Sequence, residues 1–188
     1  MLRKSLIAAS ALGLAAACGQ QSQQAAETSE PTQSVAEVPA AAPAPTAPSA
    51  EDFVQKVANS DSFEIQAAQL ALTRSSNTDV KSFARMMRTD HTATTRELTD
   101  LAPTVNLQAP TPALDADQQA KLENLRNATG TAFDSLYIDL QVQAHQDAVS
   151  LFDSFANSGQ GPLQQWAQTT LPKLRTHLDR AQALKNAA

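Results

Sequence analysis

The chain has 188 residues and a formal net charge of −5, from 14 Lys and Arg against 19 Asp and Glu. This length suits one domain, and the acidic balance excludes the basic footprint of a nucleic-acid-binding protein. Glycine is scarce and aromatic residues make up 4% of the chain, whereas Ala, Leu and Gln are common. Such a composition favours helices over sheets. A single cysteine excludes an internal disulfide.

Residues 1–18 are typical of an export signal. A basic start at residues 3–4 precedes an uncharged apolar run over residues 6–17, which is too short to span a bilayer as a permanent helix. The run ends in LAAAC, a pattern that resembles a bacterial lipoprotein signal, in which the cysteine is lipidated and becomes the new amino terminus. The leucine usually found three residues before that cysteine is Leu14, four residues before Cys18.

We expect lipidation at Cys18, because a lone cysteine at this position has little other purpose. Two or more acyl chains would anchor the protein stably to a membrane. Gly19 after the cysteine resembles the outer-membrane sorting signal of a Gram-negative cell, which would place the domain in the periplasm. Residues 15–17 also fit the A-x-A rule for ordinary signal cleavage.

Residues 19–50 are rich in Gln, Ala, Ser, Thr and Pro. Such a segment cannot bury enough apolar surface to offset the entropy lost on ordering. Its proline-rich end predicts an extended, semi-rigid chain. We interpret the segment as a disordered tether that holds a domain of residues 51–188 away from the membrane.

Apolar residues at spacings of three and four predict four long helices in that domain. The second is the clearest, because residues 80, 83, 84, 87, 91, 94, 98 and 101 share one stripe. Capping residues, short connections and prolines set the boundaries. The predicted helices run from about Ser49 to Arg74, from Asp79 to Leu101, from about Thr131 to Asn157, and from Pro162 towards the end of the chain, with a short extra helix after Asp115. We therefore predict an all-α, up-and-down four-helix bundle.

Polar residues interrupt each apolar stripe. The three histidines of the chain, His91, His145 and His177, fall on three different long helices, and Glu64 lies on the face of the first. In an antiparallel bundle these four side chains converge if they lie at similar depth. We interpret them first as a hydrogen-bonded interior cluster, in which a glutamate–histidine pair satisfies two groups at once.

A metal site is the alternative, because imidazole and carboxylate ligands suit transition metals such as Fe or Zn. A di-iron carboxylate centre is disfavoured, since it needs Glu-x-x-His on two helices. The residues three before the histidines are Arg88, Val142 and Leu174. The chain also shows no catalytic triad and no glycine-rich phosphate loop, so a non-enzymatic protein is favoured over an enzyme.

Three stretches carry a resemblance to a known family: FEIQAAQLALTRSSNTDVKSFARMMRTDHTATTREL, FDSLYIDLQVQAHQDAVSLF and LPKLRTHLDRAQAL. Together they resemble the domain of unknown function 4142 over about residues 53–184. That family implies a ferritin-like helical bundle in exported bacterial proteins, often lipoproteins, and no activity. Its matching polar positions are Glu64, Asp90, His91, Asp134, Tyr137, His145 and His177.

Two functional hypotheses follow. The first is a membrane-anchored envelope lipoprotein whose bundle serves in binding a protein or small molecule, or in stress protection. The second is a metal-binding or metal-dependent oxidoreductase site on the same scaffold. Metal analysis of the purified protein distinguishes them.

Overall fold

The computed structural model describes residues 48–187, and all regular structure within them is helical. The helices are α1 (Ala50–Arg74), α2 (Thr78–Leu101), a 3₁₀ helix (Ala102–Val105), α3 (Ala116–Asn127), α4 (Gly130–Ser158) and α5 (Gly161–Ala187). The predicted fold class, an all-α up-and-down bundle with one short extra helix, is confirmed. The predicted export signal with Cys18, and the predicted tether as far as residue 47, lie outside the described residues.

Three helices, α1, α2 and α3, begin at side chains that accept the free backbone N–H groups of the first turn, whereas Thr129 makes no such bond at the start of α4. The Ser49 hydroxyl accepts from the Asp52 N–H at 3.1 Å, and the Asn77 side chain caps α2. Asp115 and Gln118 form a reciprocal capping box at α3. The predicted cap at Ser49 is therefore confirmed, and Asn77 is the cap that begins the second helix.

Short connections make consecutive long helices antiparallel neighbours. Residues 75–77 join α1 to α2, and residues 159–160 join α4 to α5. Both of these pairs pack along most of their length, whereas α1 and α4 meet over a shorter length. The helices α2 and α5 also meet over a shorter length, so the seams α1–α4 and α2–α5 are both looser than the two antiparallel pairs.

Two apolar clusters fill the bundle. The first cluster lies around Phe63, Phe83, Phe133 and Tyr137, and the second around Phe53, Leu98, Phe155 and Leu163. Asp61 on α1 and the histidines on α2, α4 and α5 fall between the positions that the two clusters use. A polar layer therefore separates them near mid-bundle.

No helix within residues 48–187 combines the length and the apolar character that crossing a membrane requires.

Candidate metal centre

The polar layer brings the three histidines together. His91 comes from α2, His145 from α4 and His177 from α5, and each side chain is at most 4% exposed. Their ring centroids are 5.3 to 5.7 Å apart. One ring nitrogen from each histidine lies within 4.8 Å of those of the other two. We call this arrangement the histidine triangle.

A buried carboxylate holds the first corner of the triangle. The Nδ1 of His91 lies 2.8 Å from Oδ1 of Asp61, which is buried on α1. The Thr95 hydroxyl donates to the other carboxylate oxygen of Asp61 at 3.0 Å. Both oxygens of the carboxylate are thereby engaged, so the orientation of the His91 ring is fixed from α1 and from its own helix.

The other two corners are held in the same way. The Nδ1 of His145 lies 2.9 Å from the backbone carbonyl of Gln141, one turn earlier on α4. The Nε2 of His177 lies 2.9 Å from Oδ2 of Asp90, which is half-buried on α2. One ring nitrogen of each histidine is therefore hydrogen-bonded to an oxygen acceptor.

These acceptors determine the tautomers. A carbonyl or carboxylate oxygen accepts a proton from the ring, so the bonded nitrogen carries the hydrogen and the other nitrogen of a neutral ring keeps its lone pair. The remaining atoms are Nε2 of His91, Nε2 of His145 and Nδ1 of His177, and all three are buried without a hydrogen-bond partner in the described part of the chain. When all three rings are neutral, three imidazole lone pairs are thus left for a shared ligand.

Burial keeps two of the rings neutral near pH 7. Loss of hydration lowers the pKa of His145 to about 3 and that of His177 to about 4, and a charge on His91 lowers both further. Burial also opposes the charged form of His91, but the hydrogen bond and the charge of Asp61 outweigh it and raise the pKa of His91. Neutral imidazole is the form that binds a metal ion.

Glu64 lies beside the triangle. Its Oε2 accepts a hydrogen bond from Nε2 of Gln141, and its Oε1 is buried without a partner. Burial raises the pKa of Glu64 to about 7, while the nearby His91 lowers it in part. Burial and the charge of Glu64 raise the pKa of Tyr137 well above its usual value.

The predicted site residues therefore separate into groups. His91, His145 and His177 come together, and Asp90 joins them through His177. Glu64 pairs with Gln141 instead of the expected histidine and is not among the residues within 4.8 Å of one another. The remaining two predicted residues, Asp134 and Tyr137, each have a buried side-chain oxygen without a partner among residues 48–187.

Sequence reasoning missed Asp61, Thr95 and Gln141. A signal was present for two of them, because Asp61 is three residues before Glu64 and Gln141 is four residues before His145. Residues at these spacings share a helix face. Thr95 also lies four residues after His91, where its hydroxyl donates to the His91 carbonyl as well as to Asp61.

A cleft of about 880 Å³ opens along the loose seam between α1 and α4. Asp61 and His91 contribute to its lining, so it extends from the surface to one corner of the histidine triangle. Apolar side chains of α4 line it, and charged side chains of α1, α3 and α4 stand around it.

Comparison with known proteins agrees with this architecture. A protein from Streptomyces coelicolor that is titled a putative secreted protein DUF305 has a similar crystal structure, with a TM-score of 0.60 and 11% sequence identity over 69% of this chain and 85% of that one. No curated protein matches the sequence. The model of the family described as domain of unknown function (DUF4142) matches residues 35–184. With most of the sequence matched, and a helical bundle of the predicted kind, the chain belongs to the DUF4142 family.

Proposed function

We propose that this protein is an envelope lipoprotein whose helical bundle binds one divalent transition-metal ion through His91, His145 and His177. The observation that carries the proposal is the set of three buried ring nitrogens without a partner, one on each histidine of a triangle whose members lie within 4.8 Å. Asp61, Asp90 and the Gln141 carbonyl are then outer partners that orient the ligands.

Unpaired buried nitrogens argue against a self-contained polar cluster. Buried polar groups are normally paired, and leaving one unsatisfied costs about 1–3 kcal/mol. Here the three histidines bond outward to Asp61, Gln141 and Asp90 rather than to one another. A ligand at the centre of the triangle removes all three deficits at once.

The outward bonds also match those of known metal sites. Metal-bound histidine almost always donates its second N–H to a carboxylate or a backbone carbonyl, which fixes the tautomer and makes the ring more basic. Two corners of this triangle have a carboxylate partner, and the third has a carbonyl. A cluster that served only packing would not need this arrangement at every corner.

Three imidazoles favour zinc or copper among the available ions. Affinity for divalent first-row metals rises along the series to Cu²⁺ and remains high for Zn²⁺. Zn²⁺ bound by three histidines keeps a fourth position for water or another ligand. At Zn–N distances of about 2.0–2.1 Å, tetrahedral geometry separates the nitrogens by about 3.4 Å, so small ring rotations must draw the triangle inward.

The test is metal analysis of protein purified without a histidine tag or chelator. All three histidines of the chain are in the triangle, so background binding by other imidazoles is absent. We expect one Zn²⁺ or Cu²⁺ per chain, tetrahedral absorption bands with Co²⁺, and loss of both in His145→Ala. A water molecule is the competing occupant of the triangle. Wild-type protein that binds these ions no more tightly than His145→Ala would refute the metal site.

The envelope location rests on residues 1–18 and on the family. Cys18 closes a segment that resembles a lipoprotein signal. The structurally similar DUF305 protein is described as secreted, which supports a position outside the cytoplasm. A metal site held by a lipid anchor at the outer membrane would bind ions in the periplasm. Binding of metal ions is the chemistry by which the protein would take part in stress protection.

A further inference from the structure

The cleft between α1 and α4 is bordered by a stripe that the helical pattern assigns to the core. The stripe on α4 includes Leu140, Ala144, Ala148 and Leu151, all of which are only half-buried and line the cleft. The opposite α1 does not cover them fully, because α1 and α4 meet over a shorter length than the pairs α1–α2 and α4–α5. The opening is therefore a property of the packing of two long helices rather than of a surface loop.

The cleft reaches one residue of the histidine triangle. His91 contributes to its lining, is only 4% exposed, and has a buried Nε2 without a hydrogen bond in the described residues. Asp61, which orients this ring, is also in the lining. The cleft thus connects solvent with His91, one corner of the histidine triangle.

Charged groups around the cleft favour a cation. Four exposed carboxylates line it: Asp52 on α1, Asp115 at the start of α3, Asp117 on α3, and Asp147 on α4. They outnumber the two lysines of the lining, and Lys121 is paired with Asp117 at 2.6 Å. A cleft lined by one sign of charge raises the local concentration of the opposite ion.

We propose that this cleft is the entry route by which a hydrated divalent metal ion reaches the histidine triangle, with Asp52 and Asp147 attracting the ion at its opposite walls. The inference rests on the proposed metal site. The ion would pass the exposed carboxylates and lose its water to the imidazoles at the inner end, where His91 is the first ligand it meets. The fourth position of the bound ion then faces the cleft.

The charge of the walls is tested by metal-association kinetics of Asp52→Asn/Asp147→Asn, measured by stopped-flow absorption with Co²⁺. We expect the association rate to fall about three- to tenfold at low salt and the difference to vanish at high salt, with the dissociation rate nearly unchanged. The matched control is Asp100→Asn/Asp179→Asn. Both control residues are exposed and outside the lining, and Asp179 follows His177 by two residues, as Asp147 follows His145.

The route itself is tested by filling it. Ala148→Trp places a large side chain on the α4 wall, and Ala132→Trp places one at an exposed position of the same helix outside the cleft. A plug in the only route slows entry and exit alike. We expect both rate constants of Ala148→Trp to fall by a common factor with the dissociation constant unchanged, and those of Ala132→Trp to match wild type.

Three outcomes decide between the ideas. Slowed association in the double asparagine variant, or equal slowing of both rates in Ala148→Trp, supports the cleft as the route. Wild-type rates in both variants, with metal still bound at equilibrium, overturn the route and leave the metal site standing. Absence of metal binding by the wild-type protein overturns the proposed function and the route together.

Discussion

Each corner of the histidine triangle depends on a second residue that determines which ring nitrogen is free. For His91 that residue is Asp61, a side chain buried on a different helix and held in turn by Thr95. Without this acceptor the ring can rotate or exchange tautomers, and the nitrogen facing the triangle can carry the hydrogen. We therefore expect the affinity for the proposed metal ion to depend on residues that need not touch it.

Asp61→Asn keeps the size of the side chain but removes its charge. We expect metal affinity to fall about 10- to 100-fold, as is typical when an outer partner of a ligating histidine is changed. A competition titration against a chromophoric chelator measures the change. Asp153→Asn is the control, because Asp153 is at the surface and pairs with Arg175, and its affinity should equal that of wild type. Equal affinity in Asp61→Asn would contradict the orienting role.

Glu64 gives the metal-free protein a pH-dependent stability. Burial raises the pKa of Glu64 from an ordinary 4.5 to about 7, so the folded state keeps a proton that the unfolded state loses. The stabilisation from this proton is fully present below pH 4.5 and is lost as the pH rises through 7. Glu64→Gln has no ionisable side chain at this position. The lowered pKa values of His145 and His177 make the free energy of unfolding rise with pH, the opposite sign, and this effect is present in both proteins.

The prediction concerns the difference between the two proteins. Relative to Glu64→Gln, wild type should lose on the order of 3 kcal/mol of unfolding free energy between the two limits, since one pKa unit corresponds to 1.36 kcal/mol. Urea unfolding in the presence of a chelator, at several pH values, measures it. A pH-independent difference would show that Glu64 ionises in the fold as it does in water.

Among the helices, α1 and α2 form a hairpin that supplies Asp61, His91 and Asp90. Its turn depends on Asn77, whose side chain accepts from the N–H groups of Asp79 and Val80 at 2.9 and 3.3 Å. The cap lies at the start of α2, whereas His91 is more than three turns further along. The residue that starts α2 is thus far along the helix from the residue that α2 contributes to the histidine triangle.

Asn77→Ala should therefore reduce stability without affecting the site. We expect a loss of about 0.5–2 kcal/mol of unfolding free energy, the usual cost of removing a capping side chain. Chemical denaturation of the variant beside Ser76→Ala, an exposed neighbour, measures it. Metal affinity should remain that of wild type, and a decrease would mean that the hairpin turn positions the ligands more directly than the structure implies.

Across the entire bundle, the polar layer opposes stability in the absence of a ligand. Seven side-chain atoms are buried without a partner within residues 48–187, and three of them are the free nitrogens of the histidine triangle. Two apolar clusters on either side supply the hydrophobic stabilisation that tolerates this layer. The unpaired imidazoles of this layer are the groups that the proposed metal ion would satisfy.

His145→Leu tests this balance between stability and binding. In chelator we expect the variant to be as stable as wild type or more stable by up to about 1–3 kcal/mol, because an unsatisfied buried nitrogen is replaced by an apolar group. Added Zn²⁺ at 100 times its dissociation constant should stabilise wild type by about 2.7 kcal/mol and the variant not at all. Thermal melts with and without metal measure both effects. A metal-dependent shift in the variant would contradict the triangle as the site.

The proposed lipid anchor is tested on a chain that keeps residues 1–47. Cys18→Ser removes the sole cysteine, so we expect the protein to leave the membrane fraction while its circular dichroism and metal binding remain unchanged. Cell fractionation with a labelled-fatty-acid incorporation assay measures retention and lipidation together. Continued membrane retention of Cys18→Ser would count against the anchor.

Much of the architecture was predictable from local sequence. The stripe of α2 was predicted residue by residue, and its members Val80, Phe83, Met87 and His91 are all buried. Caps and prolines set the helix boundaries within a residue or two, since both act on the backbone beside them. The convergence of the three histidines also followed, because an antiparallel bundle with short connections brings the middle of each helix to a similar depth.

The hydrogen-bond partners within the polar layer could be identified only from the tertiary structure. Glu64 was expected to bond to a histidine, but it pairs with Gln141, and His91 instead takes Asp61. The half-burial of Leu140 and its neighbours likewise depends on how far α4 stands from α1. Periodicity specifies which face of a helix is inward, whereas hydrogen-bond partners and clefts depend on the rotation and spacing of helices that are distant in sequence. Those quantities emerge only when all the side chains of the bundle pack at once.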